Sequence, residues 1–351
     1  MIQLKRGDPV MKFWDREKEA DDLKKHLKSE PNAILFVYGP KSSGKSTLLY
    51  QVVKKLSKRK WFAQKYDVYW YDLRGKMISS YKDVVDIFFR TEDTEAGRFI
   101  SSVEREVNIG LPVFARFKVK TALKNEFYSK LADPFEYMEA VLRKSRKKHI
   151  VVFDELQKLK EVYINGENQR PVVKELFNFF VRLTKVLHLS HVIVMSSDTF
   201  FIEEVYCDST LKNTSRYYLV DFFDDETAYN ILVSEGIDKK TANEIVSKSG
   251  GVPWILEEIL ESDKPLETLK ELYDEFLSKM YEAIRNREDL KALLKRAASG
   301  ENLYYADEEI DKVKELAEKE ILFYDPINRV VKFQTRLDEL AAKELFENAS
   351  R

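Results

Sequence analysis

Apolar positions in the first 200 residues follow two alternating spacings. Short runs of consecutive apolar residues, typical of strands buried on both faces, lie at residues 33–38, 68–73, 149–153 and 191–195. Helical spacing separates these runs, as at residues 45–57, where Leu48, Val52 and Leu56 fall on one face. Strands that alternate with helices predict an α/β fold with a parallel sheet, which binds ligands at the carboxyl ends of its strands.

The pattern weakens between residues 76 and 131, which we interpret as an insertion. Within it, apolar Val113, Ala115, Phe117 and Val119 alternate with Phe114, Arg116, Lys118 and Lys120. Such alternation predicts a ribbon of strand with one buried face. Its basic side chains favour either a partner surface or a strand edge that lysines keep solvated.

After Asp221 the strand pattern stops and helices follow. Helical segments at 224–235, 238–248 and 253–260 predict a small helical lid. Helices at about 289–298 and 307–320 then precede a hairpin at 321–333, an order that suggests a winged helix. We therefore expect a sheet domain at 1–222, a lid at 223–285 and a winged-helix-like domain at 286–351.

Composition narrows the class of protein. The chain has 351 residues, with 59 Lys and Arg against 60 Asp and Glu, so its net charge of -1 gives no global attraction to nucleic acid or membranes. One cysteine, Cys207, cannot form an intramolecular disulfide, and four histidines with it offer no tetrahedral zinc set. No apolar run is long enough to span a bilayer, and we expect a cytoplasmic protein without membrane contact.

A glycine-rich motif joins the first predicted strand to the following helix. It fits the pattern Gly-x-x-x-x-Gly-Lys-Ser and reads Gly39-Pro40-Lys41-Ser42-Ser43-Gly44-Lys45-Ser46, followed by Thr47. Backbone N–H groups of such a loop converge on phosphate oxygens at a helix N-terminus. We expect Lys45 to reach the β and γ phosphates of ATP or ADP, Ser46 to bind Mg²⁺, and Thr47 to lie beside the α phosphate.

Two acidic residues end the predicted strand at 149–153. Asp154 suits the water shell of the magnesium ion, and Glu155 suits activation of the attacking water. A later strand ends in Ser196, Ser197 and Asp198, where one polar group would sense the γ phosphate or simply form a turn. Together these residues predict nucleotide hydrolysis as well as binding.

These motifs resemble the AAA+ class of P-loop ATPases, particularly the archaeal ATPases related to STAND signalling NTPases and to replication initiators. Residues 13–17, Phe-Trp-Asp-Arg-Glu, are similar to the motif before the first helix of that family, and residues 154–157 to its second acidic motif. Residues 250–253, Gly-Gly-Val-Pro, resemble its lid element. The resemblance implies an AAA+-like P-loop NTPase fold with a helical lid and a C-terminal winged helix.

Three further site residues follow from that resemblance. Pro253 would border the nucleotide base, although a plain helix break explains the same residues. Arg16 would help to hold the nucleotide or be an ordinary surface-paired arginine. Arg216 would act as an arginine finger, in cis or from a neighbouring subunit, or be a solvated loop residue.

Charge separates the candidate functions. Residues 286–345 carry 11 Lys and Arg against 14 Asp and Glu, so the predicted winged helix would repel DNA phosphates. We expect a nucleotide-driven conformational switch that has a protein partner or self-associates. An ATP-controlled DNA-binding protein of the initiator type and a P-loop small-molecule kinase are the alternatives.

Overall fold

The computed structural model describes residues 16–91, 117–164, 170–301, 303 and 309–348. The chain divides into two compact units. The first unit consists of the described residues of Met1–Tyr38, Ser46–Ser196 and Cys207–Tyr218. The second unit consists of the described residues of Gly39–Lys45, Ser197–Tyr206 and Leu219–Arg351.

Helices and strands are numbered in chain order over the described residues. The helices are α1 (Glu17–Lys28), α2 (Lys45–Ser57), α3 (Lys60–Lys65), α4 (Tyr81–Phe88), α5 (Thr121–Tyr128), α6 (Pro134–Lys144), α7 (Val172–Val181), α8 (Thr199–Cys207), α9 (Asp225–Ser234), α10 (Lys239–Ser249), α11 (Pro253–Glu261), α12 (Pro265–Ile284), α13 (Glu288–Ala298), α14 (Ile310–Glu318) and α15 (Arg336–Asn348). The strands are β1 (Ile34–Tyr38), β2 (Tyr66–Asp72), β3 (Phe89–Thr91), β4 (Phe117–Val119), β5 (Lys148–Asp154), β6 (Tyr163–Ile164), β7 (Arg170–Pro171), β8 (Ser190–Ser196), β9 (Ser215–Leu219), β10 (Leu322–Asp325) and β11 (Val330–Phe333).

The central sheet has five strands in the order β2-β5-β8-β1-β9. The pairs β2 with β5, β5 with β8, and β1 with β8 are parallel, so Tyr38 lies opposite Ser196 and Asp72 opposite Asp154. The inner strands β1 and β8 are buried throughout, whereas the edge strands β2 and β9 are partly exposed. The predicted α/β fold with a parallel sheet is confirmed.

The inserted region places buried apolar side chains against the central sheet. Phe117 and Val119 are buried and Lys118 is exposed, as the alternation predicts. β4 pairs in parallel with β3, and the ring of Phe117 stacks on Tyr69 with 4.8 Å between centroids. Residues 113–116 of the predicted ribbon lie outside the described residues, so the rest of the ribbon stays a prediction.

The second unit contains the helices predicted for the lid. Asp224 and Asp238 are the N-caps of α9 and α10, and Pro253 lies in the first turn of α11. These helices pack with α12 around Ile245, Ile255 and other buried apolar side chains. The boundaries expected between three domains remain a prediction.

The end of the chain follows the predicted order of helices and hairpin. α13 and α14 precede the antiparallel pair β10 and β11, and α15 follows. Leu293, Leu316 and Leu322 share one buried cluster with Ala341 of α15. Among the described residues, no helix is long and apolar enough to cross a membrane.

Candidate nucleotide-binding site

The glycine-rich loop adopts backbone angles that its sequence makes accessible. Gly39 has φ 150° and Gly44 has φ 87°, both in the region that favours glycine, and Ser42 has φ 59°. A Cβ on Gly39 would lie 2.2 Å from the carbonyl oxygen of Val220, so only glycine fits there. A Cβ on Gly44 would meet open space, with nothing in the described residues within 4 Å. The loop therefore keeps open space beside Gly44.

Lys45 binds back to the beginning of the glycine-rich loop, within the second unit. Its ammonium donates hydrogen bonds to the carbonyl oxygens of Gly39, at 3.0 Å, and Pro40, at 2.8 Å, and the residue is buried. Ser43 is buried and donates its backbone N–H to Pro40. This arrangement holds the positive charge of Lys45 at the loop and at the beginning of α2.

The next residue, Ser46, contacts the predicted acidic strand end in the first unit. Its hydroxyl donates a 2.7 Å hydrogen bond to Oδ2 of Asp154, the last residue of β5. Burial raises the pKa of Asp154 to about 6, although the Ser46 hydrogen bond and the charge of Arg74 oppose that rise. The hydroxyl of Ser46 and the carboxylate of Asp154 thus lie together, as the sequence predicts. Oxygen atoms of this kind are the ligands that hard cations prefer.

Glu155 stands just beyond the strand in a left-handed backbone conformation, with φ 64°. Its carboxylate accepts a 2.6 Å hydrogen bond from the side-chain amide of Gln157, whose carbonyl oxygen accepts a 2.9 Å bond from the Ser196 hydroxyl. The backbone N–H of Glu155 donates to Met195. A non-glycine residue in this conformation is a strained position of the kind found at functional sites. Ser196, Gln157 and Glu155 therefore form one polar chain.

Sequence reasoning missed Arg74. The guanidinium lies 3.0 Å from Oδ2 of Asp154 and also pairs with Asp72, at 2.9 Å. Arg74 lies two residues after the end of β2. Its position just beyond the carboxyl end of a predicted strand was the signal that would have found it. It places a cation against the buried carboxylate.

The two arginines that the family resemblance suggested differ in their exposure. Arg16 is buried at the beginning of α1 and pairs with Glu19 at 2.7 Å, so it is not an exposed surface arginine. Arg216 is exposed near the start of β9, where Thr214 accepts a hydrogen bond from Ile34 at the start of β1. The predicted role of Arg216 as an arginine finger, in cis or from a neighbouring subunit, stays a prediction.

The lid element of the second unit approaches the segment that follows β9. Gly250 ends α10 with φ 64°, and a Cβ on Gly251 would lie 2.1 Å from the carbonyl oxygen of Phe223. The same segment, residues 220–223, provides the carbonyl of Val220 against which Gly39 packs. Pro253 itself is buried in the first turn of α11. Its predicted contact with a nucleotide base stays a prediction.

The loop also contacts the end of the chain within the second unit. The ammonium of Lys41 forms an ion pair with the carboxylate of Glu320, which follows α14. Both residues line a cleft of about 200 Å³ together with Ser197 and Asp198, the residues that follow β8. No family pattern in the sequence had indicated this contact.

A parallel sheet whose first strand leads through a glycine-rich loop into a helix defines an α/β P-loop ATPase fold. The family described as an ATPase domain predominantly from Archaea matches residues 13–259, and the chain belongs to this family. An ATP-binding protein of Methanocaldococcus jannaschii is 37% identical, over 96% of this chain and 95% of the relative. An ATP-binding protein of Pyrococcus abyssi is 33% identical, over 95% of this chain and 98% of the relative.

Solved structures show the same fold. A Walker-type ATPase of Pyrococcus abyssi aligns with a TM-score of 0.58 and 17% identity, over 94% of this chain and 96% of that one. The ORC2 protein of Aeropyrum pernix, solved as ADPNP and ADP complexes, aligns with a TM-score of 0.53 and 11% identity, over 97% of this chain and 95% of that one. At these identities the likeness concerns the fold alone.

Proposed function

We propose that this protein binds and hydrolyses Mg-ATP, and that its nucleotide state controls the contacts of its C-terminal part. One observation carries this proposal: Lys41, inside the glycine-rich loop, is ion-paired with Glu320 near the end of the chain. A ligand in that loop therefore changes the electrostatic surroundings of a C-terminal residue directly. Membership of an archaeal ATPase family supports the choice of ATP.

The residues divide the chemistry between them. The loop at 39–44 offers backbone N–H groups and open space to phosphates, and Lys45 would exchange its bonds to Gly39 and Pro40 for phosphate oxygens. Ser46 and Asp154 would hold a magnesium ion, which neutralises phosphate charge when bound. Thr47, in the first turn of α2, would face the α phosphate. Glu155 would accept the proton of the attacking water.

The switch follows from a change of partner. Lys41 is paired with Glu320, and Lys279 of α12 donates a 2.7 Å hydrogen bond to the Glu320 carbonyl. Tyr324 of β10 donates to Glu203 and stacks on Phe200 at 5.4 Å, so the segment after β8 also contacts the hairpin. A bound triphosphate that draws Lys41 away from Glu320 would weaken this ion pair. Loss of the γ phosphate after hydrolysis would let the ion pair form again.

Two substitutions test the proposal. Lys45→Ala removes a charge-assisted hydrogen bond donor, so calorimetric titration should show ATP affinity reduced by roughly 10-fold or more. Glu155→Gln keeps the size of the side chain but not its basicity, so phosphate release should fall by about 10²-fold or more while ATP affinity changes little.

Exposed residues provide the matched controls. Lys144→Ala and Glu161→Gln make the same changes at exposed positions and should leave both measurements unaltered. Equal turnover in wild type and Glu155→Gln would contradict the proposed role of Glu155. ATP consumption that requires an added acceptor would favour the kinase alternative. The partner, whether another protein or a second copy, and the cytoplasmic location remain predictions.

A further inference from the structure

A cleft that is lined by none of the phosphate-loop residues gathers basic side chains from α1, from α2 and from the turn between α2 and α3. It lies in the first unit, where α1 and α2 end and α3 begins, and its volume is about 680 Å³. Its lining residues are Lys24, Lys28, Lys55, Leu56, Lys58, Arg59 and Trp61. The sequence shows the cluster at 54–60, but only the fold adds Lys24 and Lys28 to it.

Charge in this cleft has one sign. Five of the seven lining residues are cations and none is a carboxylate, although the whole chain has a net charge of -1. Lys24 pairs with Asp21 at 2.8 Å, while Lys28, Lys58 and Arg59 are exposed. The C-terminal carbonyls of α1 and α2 carry only about half a negative charge per helix, which does not balance this set. The cleft is therefore a local anion-attracting surface.

An indole lies within the same cleft. Trp61 is 41% exposed, an unusual position for so large an apolar ring, and it forms a T-shaped contact with the fully buried Phe62, with 5.6 Å between ring centroids. Contact with a buried ring keeps the indole in place at low entropic cost. An exposed aromatic ring surrounded by cations is the combination that binds unpaired bases and their phosphates.

We propose that this cleft binds single-stranded nucleic acid, with phosphates at the cations and a base stacked on Trp61. Duplex nucleic acid hides the faces of its bases, so it would use the charge but not the indole. An acidic protein segment would likewise satisfy the lysines without a flat ring to cover Trp61. The proposal does not depend on ATP hydrolysis, because none of the lining residues belongs to the loop at 39–46 or to its acidic partners.

Fluorescence anisotropy tests the proposal. Labelled nucleic-acid oligomers are titrated with the full chain, and the affinity of each oligomer is measured. The probes are a dT oligomer and a U oligomer of about 20 nucleotides and a duplex of equal length, at about 50 and 200 mM salt. We expect single strands to bind at least about 10-fold more tightly than the duplex, and the affinity to fall as salt rises. The tighter of the two single strands shows which of the two oligomers, the dT oligomer or the U oligomer, the cleft prefers.

Paired variants separate stacking from charge. Trp61→Leu should weaken binding by roughly 5-fold or more, whereas Trp61→Phe, which keeps an aromatic face, should stay within about 3-fold of wild type. Lys28→Ala with Arg59→Ala should weaken binding and make the slope of log affinity against log salt shallower by about 1.4, because each phosphate contact adds about 0.7.

A charge-matched control comes from another exposed basic segment of the same unit. Lys144→Ala with Arg146→Ala removes two exposed cations near the end of α6 and should change affinity by less than about 2-fold. ATP affinity reports that each variant is folded. The proposal is overturned if wild type binds no single strand below about 100 µM at low salt, if duplex binds equally well, or if the control weakens binding as much as the cleft variants.

Discussion

Two histidines outside the candidate site lie beside each other in the first unit, one partly buried and one fully buried. His26 of α1 and His191 of β8 have ring centroids 5.2 Å apart, and His191 is fully buried. Burial lowers the pKa of His26 to about 4 and that of His191 to about 3. Both rings are therefore neutral in the folded protein at pH values where an unfolded chain protonates them.

This difference predicts a stability that depends on pH. Since the pKa of each histidine is lower in the folded state, the unfolded state binds more protons between about pH 4 and 6.5, and acid favours unfolding. Each histidine adds up to about 1.4 kcal/mol per pH unit to the slope of the unfolding free energy in that window. Above about pH 6.5 the contribution is constant.

His191→Phe keeps an aromatic ring and removes one titrating group. Urea unfolding at pH 5 and pH 7 should show that the free energy of unfolding falls less between these values in the variant than in wild type, by about one proton's slope. Groups away from His191 and its neighbour His26 titrate equally in both proteins, so their effect cancels. Identical pH dependence in the two proteins would show that His191 is protonated in the folded state.

The sheet was the most predictable part of the fold, because buried parallel strands leave continuous apolar runs. The runs at 33–38, 149–153 and 191–195 match β1, β5 and β8 to within one residue at either end. Helices α12 and α15 were not predicted, although Leu269, Leu272, Phe276 and Met280 recur at helical spacing and are buried. Spacing alone could have found α12, whereas the packing of α12 against α15 required the fold.

The candidate site was predictable where a motif fixes local geometry. The loop at 39–46 and the pair of Ser46 with Asp154 follow from spacing and from the rule that parallel strands end at one edge. Arg74, Gln157 and Glu320 were missed because their roles depend on contacts between distant segments. Long-range side-chain contacts leave no periodic signal, so only the structure reveals them.

The polar chain from Ser196 to Glu155 links the ends of two neighbouring strands. Because Gln157 donates to Glu155 and accepts from Ser196, it fixes the carboxylate relative to the end of β8. Gln157→Ala should lower kcat for ATP by roughly 10-fold with little change in ATP affinity, since misplacing a base costs rate rather than binding. Steady-state phosphate release and calorimetry measure the two quantities.

Two further variants show whether the chain acts as a unit. Ser196→Ala combined with Gln157→Ala should cost no more than Gln157→Ala alone, because both changes break the same path. Lys158→Ala, at the exposed neighbouring position, should leave kcat unchanged. Fully additive losses in the double variant would indicate that Ser196 and Gln157 act independently, as they would if Ser196 contacted the γ phosphate.

Across the second unit, the loop and the end of the chain are joined by charge. Lys41 is exposed and Glu320 is half-buried, so their partly solvated ion pair contributes only about 0–1 kcal/mol to stability. A weak link of this kind suits a switch, because a triphosphate carrying several negative charges can replace a single carboxylate as the partner of Lys41. The acidic character of residues 286–345 adds to the repulsion that a bound nucleotide would meet.

Glu320→Ala tests this coupling. Without the competing carboxylate, Lys41 is available to phosphate, so ATP affinity measured by calorimetry should rise by roughly 2- to 5-fold at low salt and by less at high salt. Glu318→Ala removes the same charge from the same cleft but not the partner of Lys41, and should change affinity less. Lys41→Ala combined with Glu320→Ala should abolish the gain. An unchanged or weaker affinity in Glu320→Ala would mean that the pair does not respond to nucleotide, and the C-terminal part would then need another route to sense it.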